Sequence, residues 1–127
     1  PGAMQMQYLK QIMDTREFFE SEPCQEMLGR LDNYLDIRKT CRRTPDGRYA
    51  MIYFTSGGTE PVEFSLLSGT KIEVRWYNPR DGKFYNSEGK ESKTVQIIMN
   101  RKQREYFSTP SEGRGMDWIL ILSAKKK

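Results

Sequence analysis

The residues able to carry catalytic chemistry are few in this chain. Its 127 residues include no histidine, which excludes histidine-based triads and metal centres that contain histidine. The sequence holds no Gly-x-x-x-x-Gly-Lys-Ser/Thr phosphate loop, and Gly57-Gly58 lacks the strand-to-helix setting of a nucleotide fingerprint. The acidic residues alternate outward on predicted strands or lie in turns, whereas glycosidase carboxylates face each other across a cleft. We therefore expect no catalytic residue here.

Metal binding has equally little support from residue types. Asp46 and Asp81 each precede a glycine in a turn, where a carboxylate commonly bonds the backbone. A calcium site on these turns is an alternative that no EF-hand-like spacing favours. Cys24 and Cys41 are too few for a zinc site. We place Cys24 in a helical stretch and Cys41 in a strand, expect both as thiols, and leave a disulfide open for an oxidising compartment. No metal and no cofactor are expected.

Binding chemistry has better candidates, because tyrosines offer rigid contact area with a polar handle. The stretch RWYNPRDGKF, residues 75–84, runs a predicted strand into a type I turn, with Gly82 in the left-handed position. Trp76 and Trp118 share faces with aliphatic neighbours and are expected in the core. The candidate ligand-binding residues, on the outward side of strands or at loop tips, are Tyr77, Arg80, Tyr85 and Tyr106. Half-buried strand tyrosines are the competing interpretation.

Length and charge limit the class of protein. A chain of this length suits one domain with a core of its own. The net charge is +4, but three positive charges form the terminal Lys125-Lys126-Lys127, which we expect to be a basic tail. A nucleic-acid binder is therefore a third-ranked alternative, and no nucleic-acid partner is expected. No apolar run approaches the ~20 residues of a membrane span, and no signal peptide is recognisable. Residues 1–3 look like the remnant of a tag.

The predicted secondary structure begins with a helical segment. In MQYLKQIMDTREFFESEP, apolar residues at helical spacing can share one face: Leu9, Ile12, Met13 and Phe19. Pro23 ends this helix or starts a new turn. A short helical turn, CQEML, follows and stops at Gly29. The stripe is expected to pack against the following domain or against a neighbour.

From Tyr34 onward the pattern changes to alternation with glycine-containing turns, which is typical of antiparallel strands. YAMIYFT, PVEFSL and KIEVRWY each place alternate apolar residues on one face, and TVQIIM offers Val95, Ile97 and Met99. DWILILS is apolar on both faces, which predicts a central strand covered on both sides. With DIRKTCRR, FYNS and REYFS, the sequence predicts an antiparallel β-sandwich of about eight strands with a short N-terminal helical segment.

Three pieces of this pattern resemble a known family: TPDGRYAMIYFTSGG, LLSGTKIEVRWYNPRDGKF and YFSTPSEGRGMDWILIL. In this order they resemble the C-terminal domain called "putative collagen-binding domain of a collagenase", over roughly residues 34–123. In that family the domain follows an apiosidase-like (β/α)-barrel glycoside hydrolase domain in secreted or periplasmic bacterial proteins. Cys24-Gln25 stand where the family often has aromatic residues, and Asn78 stands where it commonly has Asp.

The resemblance implies an organisation and a function. Residues 4–33 resemble the end of the upstream barrel, 34–124 the accessory β-sandwich, and 125–127 a basic tail. The implied function is that of a non-catalytic domain of a glycan-processing enzyme, which packs on and supports the barrel. Exposed Leu9, Ile12, Met13 and Phe19 would then be the barrel interface. The alternative is a binding module for polysaccharide or a collagen-like extracellular polymer. The parent protein is expected to be secreted or periplasmic.

Overall fold

The computed structural model describes residues 10–24, 39–55, 57–86, 88–92, 95–111, 113 and 116–125. Nine strands lie within these residues, one more than the sequence pattern predicts. The elements are α1 (Arg16–Glu20), β1 (Glu22–Pro23), β2 (Lys39–Arg43), β3 (Tyr49–Phe54), β4 (Thr59–Glu63), a 3₁₀ turn (Phe64–Leu66), β5 (Lys71–Asn78), β6 (Lys83–Tyr85), β7 (Gln96–Met99), β8 (Arg104–Ser108) and β9 (Trp118–Lys125).

The strands form two antiparallel sheets, and the predicted β-sandwich is confirmed. The larger sheet has the order β1-β2-β3-β9-β5-β6, with β7 also paired to β5. The smaller sheet pairs β4 with β8. β5 exchanges partners along its length, since Trp76, Tyr77 and Asn78 pair with β6 whereas residues 71–74 pair with β7. β9 lies between β3 and β5, which makes it the central strand of the larger sheet.

The core fills the space between the two sheets. The larger sheet contributes alternate residues of its central strands, and the smaller sheet contributes Val62 and Phe107, with Phe64 and Leu67 from the turn after β4. Three aromatic rings meet edge to face, with centroids 5.4 Å apart for Phe54–Trp76 and 6.4 Å apart for Trp76–Trp118. Such pairs contribute about 0.5–1.5 kcal/mol beyond the area they bury. The prediction that both tryptophans lie in the core is confirmed.

The outer face of the larger sheet is covered as well, as the apolar pattern of DWILILS predicts. Ile119 and Ile121 of β9 point to this face and are fully or almost fully buried. The N-terminal segment covers them, because Ile12 is buried in their cluster and Phe18 packs against it. The order of layers is therefore N-terminal segment, larger sheet, smaller sheet.

The N-terminal segment is broken by Thr15, which the apolar spacing did not indicate. Residues 10–13 are helical, and Thr15 then caps α1 by accepting a hydrogen bond from the Phe18 amide. This break places the stripe residues in different surroundings. Ile12 is 6% exposed, whereas Met13 is 45% and Phe19 87% exposed. The prediction of one shared face is wrong for these three, and Leu9 lies outside the described residues.

Several strand details differ from the predicted phase. In β7 it is Ile98 that packs against the core, while Ile97 and Met99 are about half exposed on the other face. After β4, the 3₁₀ turn buries Leu67 fully in the core, while Leu66 packs against the core only partly buried. Cys24 follows β1 and bonds β2, so its predicted helical setting is wrong. The rest of CQEML and Gly29 lie outside the described residues.

Candidate functional site

The structure does not bring the four predicted ligand-binding residues into one site. Tyr77 faces the outer side of the larger sheet, beneath the N-terminal segment. Arg80 and Tyr85 lie at the β5–β6 hairpin. Tyr106 belongs to the smaller sheet. Any ligand would therefore meet these residues at separate places, and each place is considered by its own geometry.

Tyr77 is not on the surface where the strand alternation placed it. Its side chain is 2% exposed and lies in the outer-face cluster with Ile12 and Ile119. Its hydroxyl donates to the Gln11 side chain over 3.4 Å, and its ring meets Phe84 edge to face at 5.2 Å. The predicted exposure of Tyr77 is wrong because alternation identifies two faces of a strand but does not reveal that a preceding segment covers the outer one.

Arg80 lies at the tip of the β5–β6 hairpin and is held by groups of the domain itself. Its guanidinium carbon lies 5.0 Å from the centroid of the Trp118 ring, a cation–π geometry. Asn78 accepts hydrogen bonds from the Arg80 amide at 2.8 Å and from its Nε at 2.9 Å. The turn forms as predicted, with the Gly82 amide bonded to the Asn78 carbonyl and φ +72° at Gly82. These contacts give Arg80 a structural role.

Tyr85 is attached to the same hairpin cluster. Its ring meets Trp118 edge to face at 5.2 Å, and its hydroxyl donates a short hydrogen bond to the Asp81 carboxylate. That hydrogen bond is the largest cause of the raised pKa of Tyr85. The Trp118 indole donates to the Ser111 hydroxyl at 3.0 Å. The hairpin motif that singled out this stretch therefore closes one end of the core around Trp118.

Tyr106 differs from the other three because it is 67% exposed. Along β8 its neighbours alternate, with Phe107 turned into the core and Tyr106 turned outward opposite Pro61. The ring therefore lies on the outer face of the smaller sheet, and no segment within the described residues buries it. This is the one predicted residue whose setting suits contact with a partner.

Polar pairs lie on both sides of Tyr106. On one side the hydroxyls of Thr59 and Ser108 are 2.7 Å apart, and on the other Arg104 forms an ion pair with Glu63. These cross-strand pairs are two residues from Tyr106 in each direction, so they span ~13 Å along the strands. We call Thr59, Pro61, Glu63, Arg104, Tyr106 and Ser108 the tyrosine face.

The sequence reasoning missed the polar partners of Tyr106. Each strand alone shows the alternation that turns Val62 and Phe107 inward and the tyrosine face outward. The pairing of β4 with β8 across more than forty residues is not readable from either strand. The flat row of hydroxyls, ring and ion pair therefore exists only in the folded domain.

Two grooves accompany these surfaces. One, of about 280 Å³, lies between α1 and the larger sheet and is lined by charged groups including Glu17, Glu20 and Arg48. Burial raises the pKa of Tyr49 in its wall to about 12. The other, of about 260 Å³, opens where β5 changes partner, between Tyr85 and Gln96. The first groove adjoins α1, which carries the exposed Phe19 side chain. This side of the domain therefore presents both charged and apolar side chains.

The described part of the chain contains neither a metal-binding cluster nor a membrane-spanning helix. Among those residues, no group of three or more His, Cys, Asp or Glu is placed to hold a metal ion. Likewise, no helix there is long and apolar enough to cross a membrane.

The fold and these surfaces define an antiparallel β-sandwich domain with an exposed aromatic face and an N-terminal segment folded back onto the larger sheet. The family described as "Putative collagen-binding domain of a collagenase" matches residues 23–123. The chain belongs to this family.

Solved structures extend the similarity beyond the family match. One, described as a "Glycoside hydrolase", is 30% identical with a TM-score of 0.76, and the match covers 100% of this chain. Another is a glycoside hydrolase family 5 protein from Bacteroides vulgatus, 28% identical, with a TM-score of 0.75 and 98% of this chain covered. The chain spans 26% and 24% of their respective lengths. A search of curated proteins found no match.

Proposed function

We propose that this chain is a non-catalytic C-terminal accessory domain of a bacterial glycoside hydrolase and packs on an upstream (β/α)-barrel. One observation carries the proposal. Two glycoside hydrolases match essentially all of this chain while the chain spans about a quarter of each. A domain that recurs at this proportion beside a catalytic region is expected to support that region. We also propose that the parent protein is secreted or periplasmic, as the sequence resemblance to the accessory-domain family implies.

The exposed apolar residues of the N-terminal segment favour the same proposal. Phe19 and Met13 are exposed at 87% and 45% although Ile12 beside them is buried. Burying a large apolar side chain contributes about 1.5–3 kcal/mol. A barrel packed on this side would cover both residues, and Glu17, Glu20 and Arg48 around the adjacent groove would form the polar rim of the interface.

The test uses two exposed aromatic residues on different layers. In a protein that carries the barrel together with this domain, Phe19→Ser is expected to lower the melting temperature of the barrel or separate one unfolding transition into two. Tyr106→Ala, the matched control, is expected to leave both unchanged. The domain alone is expected to hydrolyse no glycoside. Turnover by the domain alone, or equal effects of the two variants, would contradict the proposal.

A second candidate function, binding of polysaccharide, is favoured by the tyrosine face. A flat exposed ring suits stacking on a sugar ring, and the hydroxyl pair of Thr59 and Ser108 and the ion pair of Glu63 with Arg104 offer donors and acceptors for sugar hydroxyls. Collagen is the competing ligand, because the family description names it.

Affinity electrophoresis of the domain in gels containing soluble polysaccharides, with a collagen-coated surface in parallel, tests this second function. Retention that is lost in Tyr106→Ala and kept in Phe19→Ser would support binding through the tyrosine face. Retention on collagen alone would identify the other ligand. Unchanged migration in every polysaccharide gel, together with no retention on collagen, would leave the domain with its structural role.

A further inference from the structure

Cys24 and Cys41 lie opposite each other on neighbouring strands. β1 pairs with β2 in the register Glu22 to Arg43 and Pro23 to Arg42, and the next step of this register brings Cys24 to Cys41. The Cys24 amide donates to the Cys41 carbonyl at 2.8 Å, which continues the ladder by one bond. In antiparallel sheets, residues paired by such a bond have Cα atoms about 5.5 Å apart.

Both side chains point to the same face of the sheet. Cys41 is a member of the inner core cluster, and Cys24 is partly buried against that same cluster. Directly opposed residues at a hydrogen-bonded position of an antiparallel pair have Cβ atoms about 5.5 Å apart. Disulfides need Cα separations of about 4.4–6.8 Å and Cβ separations near 3.5–4.5 Å. The Cα separation therefore suits a disulfide, and joining the two sulfurs requires the Cβ atoms to approach by about 1 Å, a shift that falls at the end of the two-residue edge strand β1.

We propose that Cys24 and Cys41, which are thiols in this structure, form an intramolecular disulfide in an oxidising environment and thereby fix the N-terminal segment to the larger sheet. The oxidant is a small disulfide such as oxidised glutathione. One thiolate attacks a glutathione sulfur, which releases one glutathione thiolate and leaves a mixed disulfide. The second protein thiolate then attacks the mixed disulfide and releases the second glutathione. One protein disulfide and two reduced glutathiones result.

The two cysteines differ in how easily they react. Cys24 is half-buried, so its sulfur can meet the small disulfide, whereas Cys41 is 1% exposed. Burial raises the pKa of the Cys41 thiol well above its usual range, and the thiolate is the attacking form. Cys24 is therefore the residue that forms the mixed disulfide, and ring closure by Cys41 is the slow step in the folded domain. Refolding in the presence of the oxidant is expected to give faster closure than oxidation of the folded protein.

The position of the pair gives the bond a structural consequence. The residues before Cys24 include Ser21, whose hydroxyl and carbonyl accept from Arg42 of β2 at 2.9 Å and 2.6 Å, and Phe18, over which the Arg42 guanidinium stacks at 4.6 Å. A covalent bond at Cys24 holds this contact region against the edge of the sheet. Both cysteines lie within residues 23–123, which the family model matches, so we expect the bond to form whether or not a barrel is present upstream.

The test is to refold the 127-residue chain in a mixture of reduced and oxidised glutathione and map its cysteine peptides by mass spectrometry. A linked Cys24–Cys41 peptide, the loss of two hydrogens from the intact mass, and monomeric migration without reductant are expected. The oxidised protein should melt about 10 °C higher than the reduced protein, because a disulfide closing a segment of this length constrains the unfolded chain.

Cys24→Ser is the control, since Cys24 is the less buried of the two and its replacement leaves the core cysteine in place. The melting temperature of this variant should not respond to the glutathione mixture. The inference would be overturned if the wild-type chain at equilibrium retains glutathione on Cys24 with Cys41 reduced. A disulfide-linked dimer through Cys24 would overturn it too.

Discussion

Ile12→Ala is the substitution that tests whether the N-terminal segment belongs to the folded domain. Ile12 is 6% exposed and lies in a cluster with Met51, Ile119 and Ile121 of the larger sheet. Replacing a buried isoleucine by alanine costs about 2–5 kcal/mol, depending on how far the site can collapse. Ile12 lies at the end of a short helical stretch that is able to settle onto the sheet. We therefore expect the lower end of this range, about 2 kcal/mol.

The matched control is the next residue, Met13, which is 45% exposed. Met13→Ala is expected to change the free energy of unfolding by less than about 0.5 kcal/mol. Urea denaturation followed by tryptophan fluorescence would report both values, and Ile12→Ala should melt about 8 °C lower by circular dichroism. Equal effects of the two substitutions, or no effect of Ile12→Ala, would refute the packing of this segment on the larger sheet.

The remaining predictions concern the hairpins and the turn before β3. Gly47→Ala should cost about 3 kcal/mol, because Gly47 has φ +76° and an added Cβ would also lie 2.8 Å from the Leu66 carbonyl oxygen. Gly89→Ala, at φ +84° but with no atom within 3.4 Å, should cost only about 1 kcal/mol. Equal losses in chemical denaturation would contradict the role of crowding. The Asp46 pKa is lowered from 3.8 to about 2, first by the hydrogen bond from the Arg48 amide. Because this pKa is lowered in the folded state, the stabilisation from Asp46 is present above pH 3.8 and is lost as the pH falls toward 2. The melting temperature should therefore fall less over this interval in Asp46→Asn than in wild type. Parallel plots of melting temperature against pH would contradict the assignment. Arg80→Ala should lower the free energy of unfolding by about 1 kcal/mol through loss of the contact with Trp118. Arg101, which is exposed in the loop between β7 and β8, is the control, and Arg101→Ala should leave thermal unfolding unchanged.

The inner core was predictable because two sheets that face each other impose strict alternation on their strands. Ile72, Val74 and Trp76 recur every second residue in β5, and all three are buried in the core cluster. The apolar run of β9 correctly indicated cover on both faces. The RDG turn was predictable for a different reason, since a glycine placed after Arg-Asp meets the positive φ that the hairpin needs.

The outer faces were less predictable because they depend on which segment covers them. Tyr77 and Tyr106 carry the same side chain on strands of similar pattern, yet one is 2% and the other 67% exposed. The difference arises from the N-terminal segment, which covers the larger sheet. Its break at Thr15 decides that Ile12 turns inward while Phe19 turns to solvent. The capping threonine inside the apolar stripe is the sequence feature that indicates this break. The helical spacing of the apolar residues alone does not reveal it.

The order of layers also determines how the two proposed roles relate. The N-terminal segment lies on the outer face of the larger sheet, and the tyrosine face lies on the far side of the smaller sheet. A barrel that covers Phe19 would therefore leave Tyr106 accessible, so support of a catalytic domain and binding of a polymer do not compete for one surface. In the protein that carries the barrel, the double variant Phe19→Ser with Tyr106→Ala is expected to lose barrel stability as Phe19→Ser does and polymer retention as Tyr106→Ala does, since distant sites without shared partners act independently. A Phe19→Ser variant that also loses polymer retention in this protein would contradict the independence of the two surfaces.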